Sequence, residues 1–304
     1  MEALRLNHLV MHFGSQRVLA GVNLSVPERG VFGLIGKNGA GKTTLMKLIL
    51  GFLKADSGEI TVCGQRAGYG YARANRLIGY LPDVPQFYND LSADEYLQLI
   101  GRATGLSAGE TVGRSHELLE LAGLSAGRKR IGHFSRGMKQ RLGIAAALLN
   151  RPRLLICDEA TSALDPEGRK DILDLLAFAG QTASILLSTH ILSDVERICG
   201  RIALLNGGMI VLDGQTDELR RRHGERIELT FFTDQEAIRV ASRLRQESFI
   251  LSADVTGSVC IVRLTGHRAH APALVAALAA SGAALHSYRP LEETLEAIYL
   301  EAVQ

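Results

Sequence analysis

One glycine-rich stretch has the residue types and spacing to bind phosphate: Gly36-Lys37-Asn38-Gly39-Ala40-Gly41-Lys42-Thr43. It fits the pattern G-x-x-x-x-G-K-[ST] of a P-loop. Glycines let backbone N–H groups approach phosphate oxygens, and a helix beginning there points its positive dipole end at the same anion. Lys42 can reach the terminal phosphates, and the Thr43 hydroxyl can bind Mg²⁺. We therefore predict a site for the phosphates of a nucleotide.

An acidic pair follows a predicted strand further along the chain. The apolar run Leu154–Cys157 delivers Asp158 and Glu159 at its carboxyl end. Ligands of open α/β sheets lie at the carboxyl ends of the strands, which places both carboxylates beside the P-loop. We expect Asp158 to hold Mg²⁺, directly or through water. We expect Glu159 to polarise a water for in-line attack on the γ-phosphorus.

The elements that must position these residues indicate an α/β core. The apolar strand Val31–Ile35 precedes the P-loop, and the helical run Thr43–Leu50 follows it. Continuous apolar runs at Leu154–Cys157 and Ser184–Leu187 are typical of parallel strands that are buried on both faces. The sequence therefore predicts a P-loop NTPase fold built on a mixed sheet.

Two further regions flank this core. Alternating apolar residues from Leu4 to Phe13 and from Val22 to Val26 predict strands near the start of the chain. Residues from about 88 to 150 show helical apolar spacing, which predicts a helical subdomain. The turn signal Asn206-Gly207-Gly208 predicts a hairpin.

The tail of the chain predicts a second, smaller domain. Its elements follow the order β-α-β-β-α-β, a ferredoxin-like α+β arrangement, and a final helix is expected over Glu292–Leu300. We place the boundary near Arg220 to Gly224, so that the domains cover residues 1–222 and 223–304. The predicted strands lie near 227–231, 249–255, 259–264 and 284–288, and the predicted helices cover Glu236–Leu244 and Pro272–Ala280.

Composition narrows the protein class. With 46% hydrophobic residues among 304, the chain can bury a real core, and its net charge of +2 gives no reason to expect a nucleic-acid partner. Its four cysteines lie far apart without a C-x-x-C pair, which fits a reduced cytosolic protein without disulfides or zinc. No apolar run approaches the ~18 residues that span a bilayer. His267 and His270 form H-x-x-H without an acidic or cysteine partner nearby, so no metal is expected there.

Further segments resemble motifs of the ATP-binding-cassette (ABC) family, over about residues 1–220. Phe134–Gln140 looks like the family's signature loop, and Ser162–Asp165 looks like its D-loop. Ser188-Thr189-His190 ends a strand as the family's switch histidine does, and Phe13 stands where an aromatic residue stacks on adenine. With the P-loop and the Asp-Glu strand in the same order, these motifs imply an ATPase that binds ATP and Mg²⁺.

The signature also has a physical interpretation. Ser135 and Gly137 stand at the start of a predicted helix, where a hydroxyl and N–H groups project from its positive end. They form a second phosphate-binding surface, which one active site does not need. The resemblance implies that two copies pair head-to-tail, with each ATP between the P-loop of one and the signature of the other. An ordinary N-cap role for Ser135 is compatible with this role.

The resemblance implies roles for individual residues. It implies that Glu159, His190 and Lys42 are the catalytic residues and that His190 contacts the γ-phosphate. It also implies that Asp165 transmits signals across the dimer interface. A core position for Phe13 stays open beside its adenine role. The expected metal ligands are Thr43, Asp158 and Asp83. The expected nucleotide-binding residues are Phe13, Gly36, Asn38, Gly39, Ala40, Gly41, Lys42, Thr43, Thr44, Ser135 and Gly137.

The chain departs from the family pattern at three places. Where the family has a glutamine that couples the nucleotide to the transporter partner, this chain has Asp83, and Gln86 follows three residues later. Asp83 still offers oxygen to Mg²⁺, and either residue can take the glutamine's role. Met138 replaces the usual glutamine of the signature, and Lys37 replaces a common proline.

A cassette that ends in a small ferredoxin-like domain resembles the ATP-binding subunit of a drug or antibiotic exporter. The resemblance implies a second cassette, an identical copy or a relative, and a separate multi-helix permease that holds the subunit at the inner face of the cell membrane. The alternative is a soluble ABC ATPase of translation or DNA repair, but such proteins usually carry two cassettes or a long coiled-coil insertion. A regulator that binds without hydrolysing is a third class, and Glu159 argues against it.

Overall fold

The computed structural model describes residues 2–70, 73–125, 127–222, 225–265, 267–291 and 295–303. The chain forms two compact units, Met1–Gly214 and Gln215–Gln304. The elements in chain order are β1 (Glu2–Phe13), β2 (Gln16–Pro27), β3 (Gly30–Ile35), α1 (Lys42–Ile49), β4 (Ser57–Val62), β5 (Gln65–Ala67), β6 (Ile78–Leu81), α2 (Ala93–Thr104), α3 (Ala108–Leu121), α4 (Arg136–Leu148), β7 (Leu154–Asp158), α5 (Pro166–Ala179), β8 (Ser184–Thr189), α6 (Leu192–Ile198), β9 (Arg201–Asn206), β10 (Met209–Gln215), α7 (Thr216–Arg222), β11 (Glu225–Phe231), α8 (Asp234–Leu244), β12 (Ile250–Thr256), β13 (Val259–Leu264), α9 (His267–Ser281), β14 (Leu285–Leu291) and α10 (Leu295–Val303).

The core of the first unit is a six-stranded sheet in the order β10-β9-β3-β8-β7-β6. Strands β9, β3, β8, β7 and β6 run parallel to one another. Every residue of β7 and of β8 is buried, as their continuous apolar runs predict for strands covered on both faces. The turn Gly207-Gly208 joins β9 to β10 as the predicted hairpin.

A second sheet of the first unit is antiparallel, in the order β2-β1-β4-β5. Its apolar residues pack into one cluster with β3 and with the buried face of α1. Leu4, Leu6, Leu9 and Met11 of β1 are buried in this cluster, which confirms the strand predicted from their spacing. The mixed sheet of the predicted fold class is thus two sheets that share a hydrophobic core.

Helices α2, α3 and α4 form the predicted helical region. Ser92 caps α2 and Ser107 caps α3, and in each case the glutamate three residues later closes a capping box. Ser135 caps α4, which packs against β6. Each of these helices therefore begins at a serine cap, a local signal that is visible in the sequence.

The second unit contains an antiparallel sheet in the order β12-β13-β11-β14, and its elements follow the predicted order β-α-β-β-α-β. Its core joins the inward faces of the strands to α8 and α9. Helix α9 begins at His267, earlier than the predicted start at Pro272, which lies inside the helix. Of the final helix predicted over Glu292–Leu300, residues 292–294 lie outside the described residues, and α10 begins at Leu295.

In the described part of the chain, no helix is both long and apolar enough to cross a membrane. The same residues contain no group of three or more histidine, cysteine and acidic side chains that could hold a metal ion.

The first unit ends at Gly214, before α7, whereas the sequence suggested a boundary after α7 at residues 220–224, of which 223 and 224 lie outside the described residues.

Candidate functional site

The backbone of the P-loop requires glycine at several positions, and Gly36 and Gly41 show two different reasons. Gly41 caps α1 with φ 106°, a left-handed conformation that side chains with a Cβ rarely adopt. A Cβ on Gly36 would lie 2.6 Å from the carbonyl oxygen of Leu205 on β9. The loop between β3 and α1 is therefore packed against the core, and it begins α1 with free N–H groups.

Lys42 is the first residue of α1, and its side chain is only 6% exposed. Its Nζ donates to the carbonyl oxygen of Gly36 at 2.6 Å and lies 3.5 Å from Oε1 of Glu159. A buried ammonium needs such partners because burial removes its hydration. The charge of Lys42 is thus held inside the loop, between the phosphate cradle and the acidic pair.

Strand order explains why the predicted catalytic residues meet. Strand β8 lies between β3 and β7, and all three run in the same direction. Ile35 pairs with Thr189, and Asp158 pairs with Ser188, so the three strands end at one level. The P-loop, the acidic pair and His190 follow these ends and share one edge of the sheet.

Asp158 has one occupied and one unoccupied carboxylate oxygen. Its Oδ2 accepts from Thr43 Oγ1 at 3.1 Å, while Oδ1 is buried without a hydrogen-bond partner among the described residues. Burial is the main cause that raises the pKa of Asp158; the hydroxyls of Thr43 and Ser188 lower this pKa, and the charges of Glu159 and Asp83 raise it. A hydroxyl beside a carboxylate with a free oxygen fits the all-oxygen coordination of Mg²⁺.

Glu159 and His190 are in direct contact. The Nδ1 of His190 lies 2.8 Å from Oε2 of Glu159, whose side chain is 15% exposed. The contact is a hydrogen bond from His190 to Glu159 in the tautomer that carries its proton on Nδ1, because an ionised carboxylate only accepts hydrogen bonds. Glu159 has φ 49°, a left-handed conformation, and its N–H donates to the carbonyl oxygen of Ser188. Strain of this kind persists where the surrounding structure holds a functional side chain.

The predicted signature residues lie at the start of α4. Ser135 is its N-cap, and its hydroxyl accepts from the N–H of Met138 at 3.2 Å. A Cβ on Gly137 would meet only the tip of Leu164, at 4.0 Å, so the surface beside Gly137 is open. The capping role of Ser135 is present, and its hydroxyl hydrogen remains available for an anion.

Other predicted site residues belong to the P-loop, to the first turn of α1 and to the end of β1. The loop residues Asn38 and Gly39 are exposed, and the N–H of Ala40 donates to the carbonyl oxygen of Lys37. Thr44 follows Thr43 in the first turn of α1. Phe13 ends β1 and is 48% exposed, which excludes the core position left open for it.

Asp165 is the N-cap of α5 and accepts from the N–H of Gly168. Asp83, an expected metal ligand, turns its carboxylate toward Ser162 and Arg136. The contacts of Asp83 are therefore with the loop after Glu159 and with the first residue of α4, whereas Thr43 and Asp158 contact each other. Gln86, the alternative coupling residue, is exposed.

One buried polar cluster was missed by sequence reasoning. Asp194, 2% exposed, accepts from Thr161 Oγ1 and from Nε of Arg169, both at 2.5 Å. It ties the loop after Glu159 and helix α5 to helix α6, which follows His190. Asp194 lies in the first turn of α6, where an acidic residue is common for helix-dipole reasons alone, so its spacing gave no signal of burial.

Comparison with known proteins agrees with this geometry. The model of the ABC transporter family matches residues 19–162. The linearmycin resistance ATP-binding protein LnrL of Bacillus subtilis is 36% identical over 95% of this chain and 94% of its own length. The bacitracin transport ATP-binding protein BcrA of Bacillus licheniformis is 35% identical over 76% of this chain and 75% of its own.

Solved structures show the same fold. An ATP-binding subunit of an ABC transporter superposes with a TM-score of 0.65 at 36% identity, covering 72% of this chain and 92% of that one. CbiO1 of Clostridium perfringens, part of the ABC transporter complex CbiONQ, superposes with a TM-score of 0.66 at 26% identity, covering 72% and 90%.

The family resemblance indicated by the motifs is confirmed by LnrL, which aligns over nearly its whole length, and by the fold shared with solved ABC cassettes. The α/β P-loop fold and ATP hydrolysis follow from this membership. The chain belongs to the ABC transporter family, as an ATP-binding subunit that hydrolyses ATP.

Proposed function

We propose that two copies of this chain close head-to-tail around two molecules of ATP, and that a separate multi-helix permease converts this closure into export. ATP can do work in this way only through its higher affinity for the closed state. Hydrolysis removes that preference and lets the two copies separate. The subunit then acts from the inner face of the cell membrane, where the permease holds it.

The observation that supports this proposal is that one chain has two separate helix starts whose residue types suit phosphate. Lys42, Asp158 and Glu159 gather at the carboxyl ends of the central strands. Ser135 and Gly137 begin a different helix, α4, and the surface beside Gly137 is open. When two chains pair around a two-fold axis, each ATP lies between the first surface of one chain and the second surface of the other. The pair then contains two equivalent sites.

The residues of the first surface have distinct tasks. Thr43 and Asp158 would hold Mg²⁺, which neutralises phosphate charge when bound. Lys42 stabilises charge on the terminal phosphates, and the N–H groups at the start of α1 support it. Glu159 takes a proton from the attacking water, and His190 holds that carboxylate in place through its 2.8 Å contact.

Export is favoured by the relative that matches from end to end. LnrL aligns with 95% of this chain, so the match reaches into the second unit, and its name records resistance to linearmycin. The methionine import protein MetN of Caulobacter vibrioides is 41% identical, but the alignment covers 68% of this chain. We interpret residues 223–304 as a ferredoxin-like accessory domain of a drug- or antibiotic-exporting subunit.

The proposal is tested by purifying a tagged chain from detergent-solubilised native membranes and identifying what remains bound. A polytopic membrane protein in fixed stoichiometry, whose presence raises the ATPase rate, is the expected result. Cells that lack the chain should then retain the exported compound. Ribosomes or DNA-repair enzymes as bound partners, with no polytopic protein, would contradict the proposal and favour the soluble ATPase.

A further inference from the structure

We propose that Asp83 is a positioning residue that ties helix α4 to the loop behind Glu159, and that it is not a ligand of Mg²⁺. The proposal deepens the proposed function and rests on it, because it assigns the residue that stands where the family has its coupling glutamine.

We call the contacts among the side chains of Asp83, Ser162 and Arg136 the tie. Oδ1 of Asp83 accepts a short hydrogen bond from the hydroxyl of Ser162. The same oxygen lies 3.9 Å from Nη2 of Arg136. The Arg136 guanidinium also donates to the Ser162 hydroxyl, over 3.5 Å. Each of the three side chains therefore contacts the other two.

The backbone of Asp83 is held by the same helix. Gln140, which is 1% exposed, lies one turn beyond Arg136 on α4, and its Nε2 donates to the carbonyl oxygen of Asp83 at 2.9 Å. Helix α4 thus binds Asp83 from two successive turns. This places the start of α4, with Ser135 and Gly137, at a defined distance from the end of β6.

The other end of the tie reaches the hydrolysis residues. Strand β6 pairs with β7, and Leu81 pairs with Cys157, one residue before Asp158. The N–H of Ser162 donates to the carbonyl oxygen of Glu159 at 3.0 Å, so Ser162 closes the turn that carries Glu159. The carboxylate of Asp83 therefore joins the surface that meets a partner's ATP to the surface that hydrolyses the chain's own ATP.

The occupancy of the oxygens argues against metal binding by Asp83. Oδ1 of Asp83 faces a hydroxyl and a cation from two other elements, whereas Asp158 contacts the P-loop residue Thr43 and keeps a buried oxygen without a partner among the described residues. The side chains of Asp83 and Arg136 are 47% and 48% exposed, and exposed ion pairs contribute little to stability. The tie is thus weak enough to open when α4 moves, which suits a contact that must form and break in each cycle.

Hydrogen exchange of the full-length chain without nucleotide tests the tie directly. Asp83→Ala should speed amide exchange about two- to fivefold in two segments, residues 135–139 and 160–164, because local opening sets the exchange rate there and an exposed contact adds only modest protection. Ser162→Ala should have the same effect in residues 160–164. Asp83→Asn keeps an oxygen for Ser162 but loses the charge that faces Arg136, so protection should return in 160–164 and not in 135–139.

Asp174→Ala is the matched control, because it breaks an exposed pair, Asp174 Oδ1 to Arg197 Nη2 at 2.8 Å, between α5 and α6. It should leave both segments unchanged. The Mg²⁺ concentration for half-maximal ATPase is the second measurement, and it should stay within about twofold of wild type in Asp83→Asn.

Unchanged exchange in Asp83→Ala would overturn the proposal. So would a tenfold higher Mg²⁺ requirement in Asp83→Asn, whatever its exchange, because that result would make Asp83 a metal ligand. The exchange measurement needs neither a second chain nor hydrolysis, so the tie can fail while the proposed function stands, and the reverse also holds.

Discussion

The carboxylate of Glu159 faces two basic side chains at once: Oε2 lies 2.8 Å from Nδ1 of His190, and Oε1 lies 3.5 Å from Nζ of Lys42. Each partner follows the end of a different strand, so three strands must align before the contacts form. These contacts support separate tasks in the proposed mechanism, in which His190 orients the base and Lys42 turns to the phosphates.

Glu159→Gln should abolish most hydrolysis while nucleotide binding persists. The amide keeps the shape of the side chain, but it cannot take a proton from water, so the ATPase rate should fall by about 100-fold or more. Phosphate release at saturating ATP measures the rate, and titration with a fluorescent nucleotide measures binding. Glu167→Gln, in the exposed first turn of α5, is the control and should keep the wild-type rate. A Glu159→Gln protein that hydrolyses at the wild-type rate would exclude Glu159 as the base.

Lys42→Ala should weaken nucleotide binding. It removes a charge-assisted contact worth roughly 1.5–3 kcal/mol, so the dissociation constant for Mg²⁺-ATP should rise about 10- to 100-fold. Calorimetric titration measures the dissociation constants of the wild type and of the variant. Lys37→Ala offers a close comparison, since Lys37 is exposed in the same loop, and it should change the constant by less than about threefold. Equal losses in the two variants would mean that general positive charge, rather than the placement of Lys42, binds the phosphates.

Gly79→Ala should destabilise the first unit because β6 and α4 touch there. A Cβ at this position would collide with the backbone carbonyl oxygen of Ala147 on α4. Forcing the two elements apart should cost about 1–3 kcal/mol and lower the urea midpoint. Gly113→Ala is the counterpart in the middle of α3, where a Cβ meets nothing within 4 Å. It should raise stability by about 0.5–1 kcal/mol. A neutral Gly79→Ala would show that α4 can shift freely on β6.

The reach of sequence reasoning differs between local and long-range features. The strand before the P-loop, the buried acidic strand and the capped helices were predictable, since apolar runs, glycines and Ser-x-x-Glu boxes act over a few residues. The meeting of Asp158 with Thr43 followed from the rule that parallel strands end at one edge.

Other contacts depend on packing that no short pattern records. Asp83 was predicted as a metal ligand from its place in the motif, and no short pattern indicated its contacts with Ser162 and Arg136, which are 79 and 53 residues away in sequence and come from two other elements. The start of α9 was predicted five residues late, at Pro272, because a proline usually opens a helix, whereas here the helix continues through it.

The ATP-dependent mass of the Glu159→Gln protein in solution tests the central claim most directly. Light scattering of the purified variant should give the mass of one chain without nucleotide and of two chains with Mg²⁺-ATP, because the unhydrolysed nucleotide keeps two composite sites closed. Adding Gly137→Glu, which puts a negative side chain on the open surface at the start of α4, should return the protein to one chain while ATP still binds. A Glu159→Gln protein that binds ATP and stays at the mass of one chain at every ATP concentration would contradict the account.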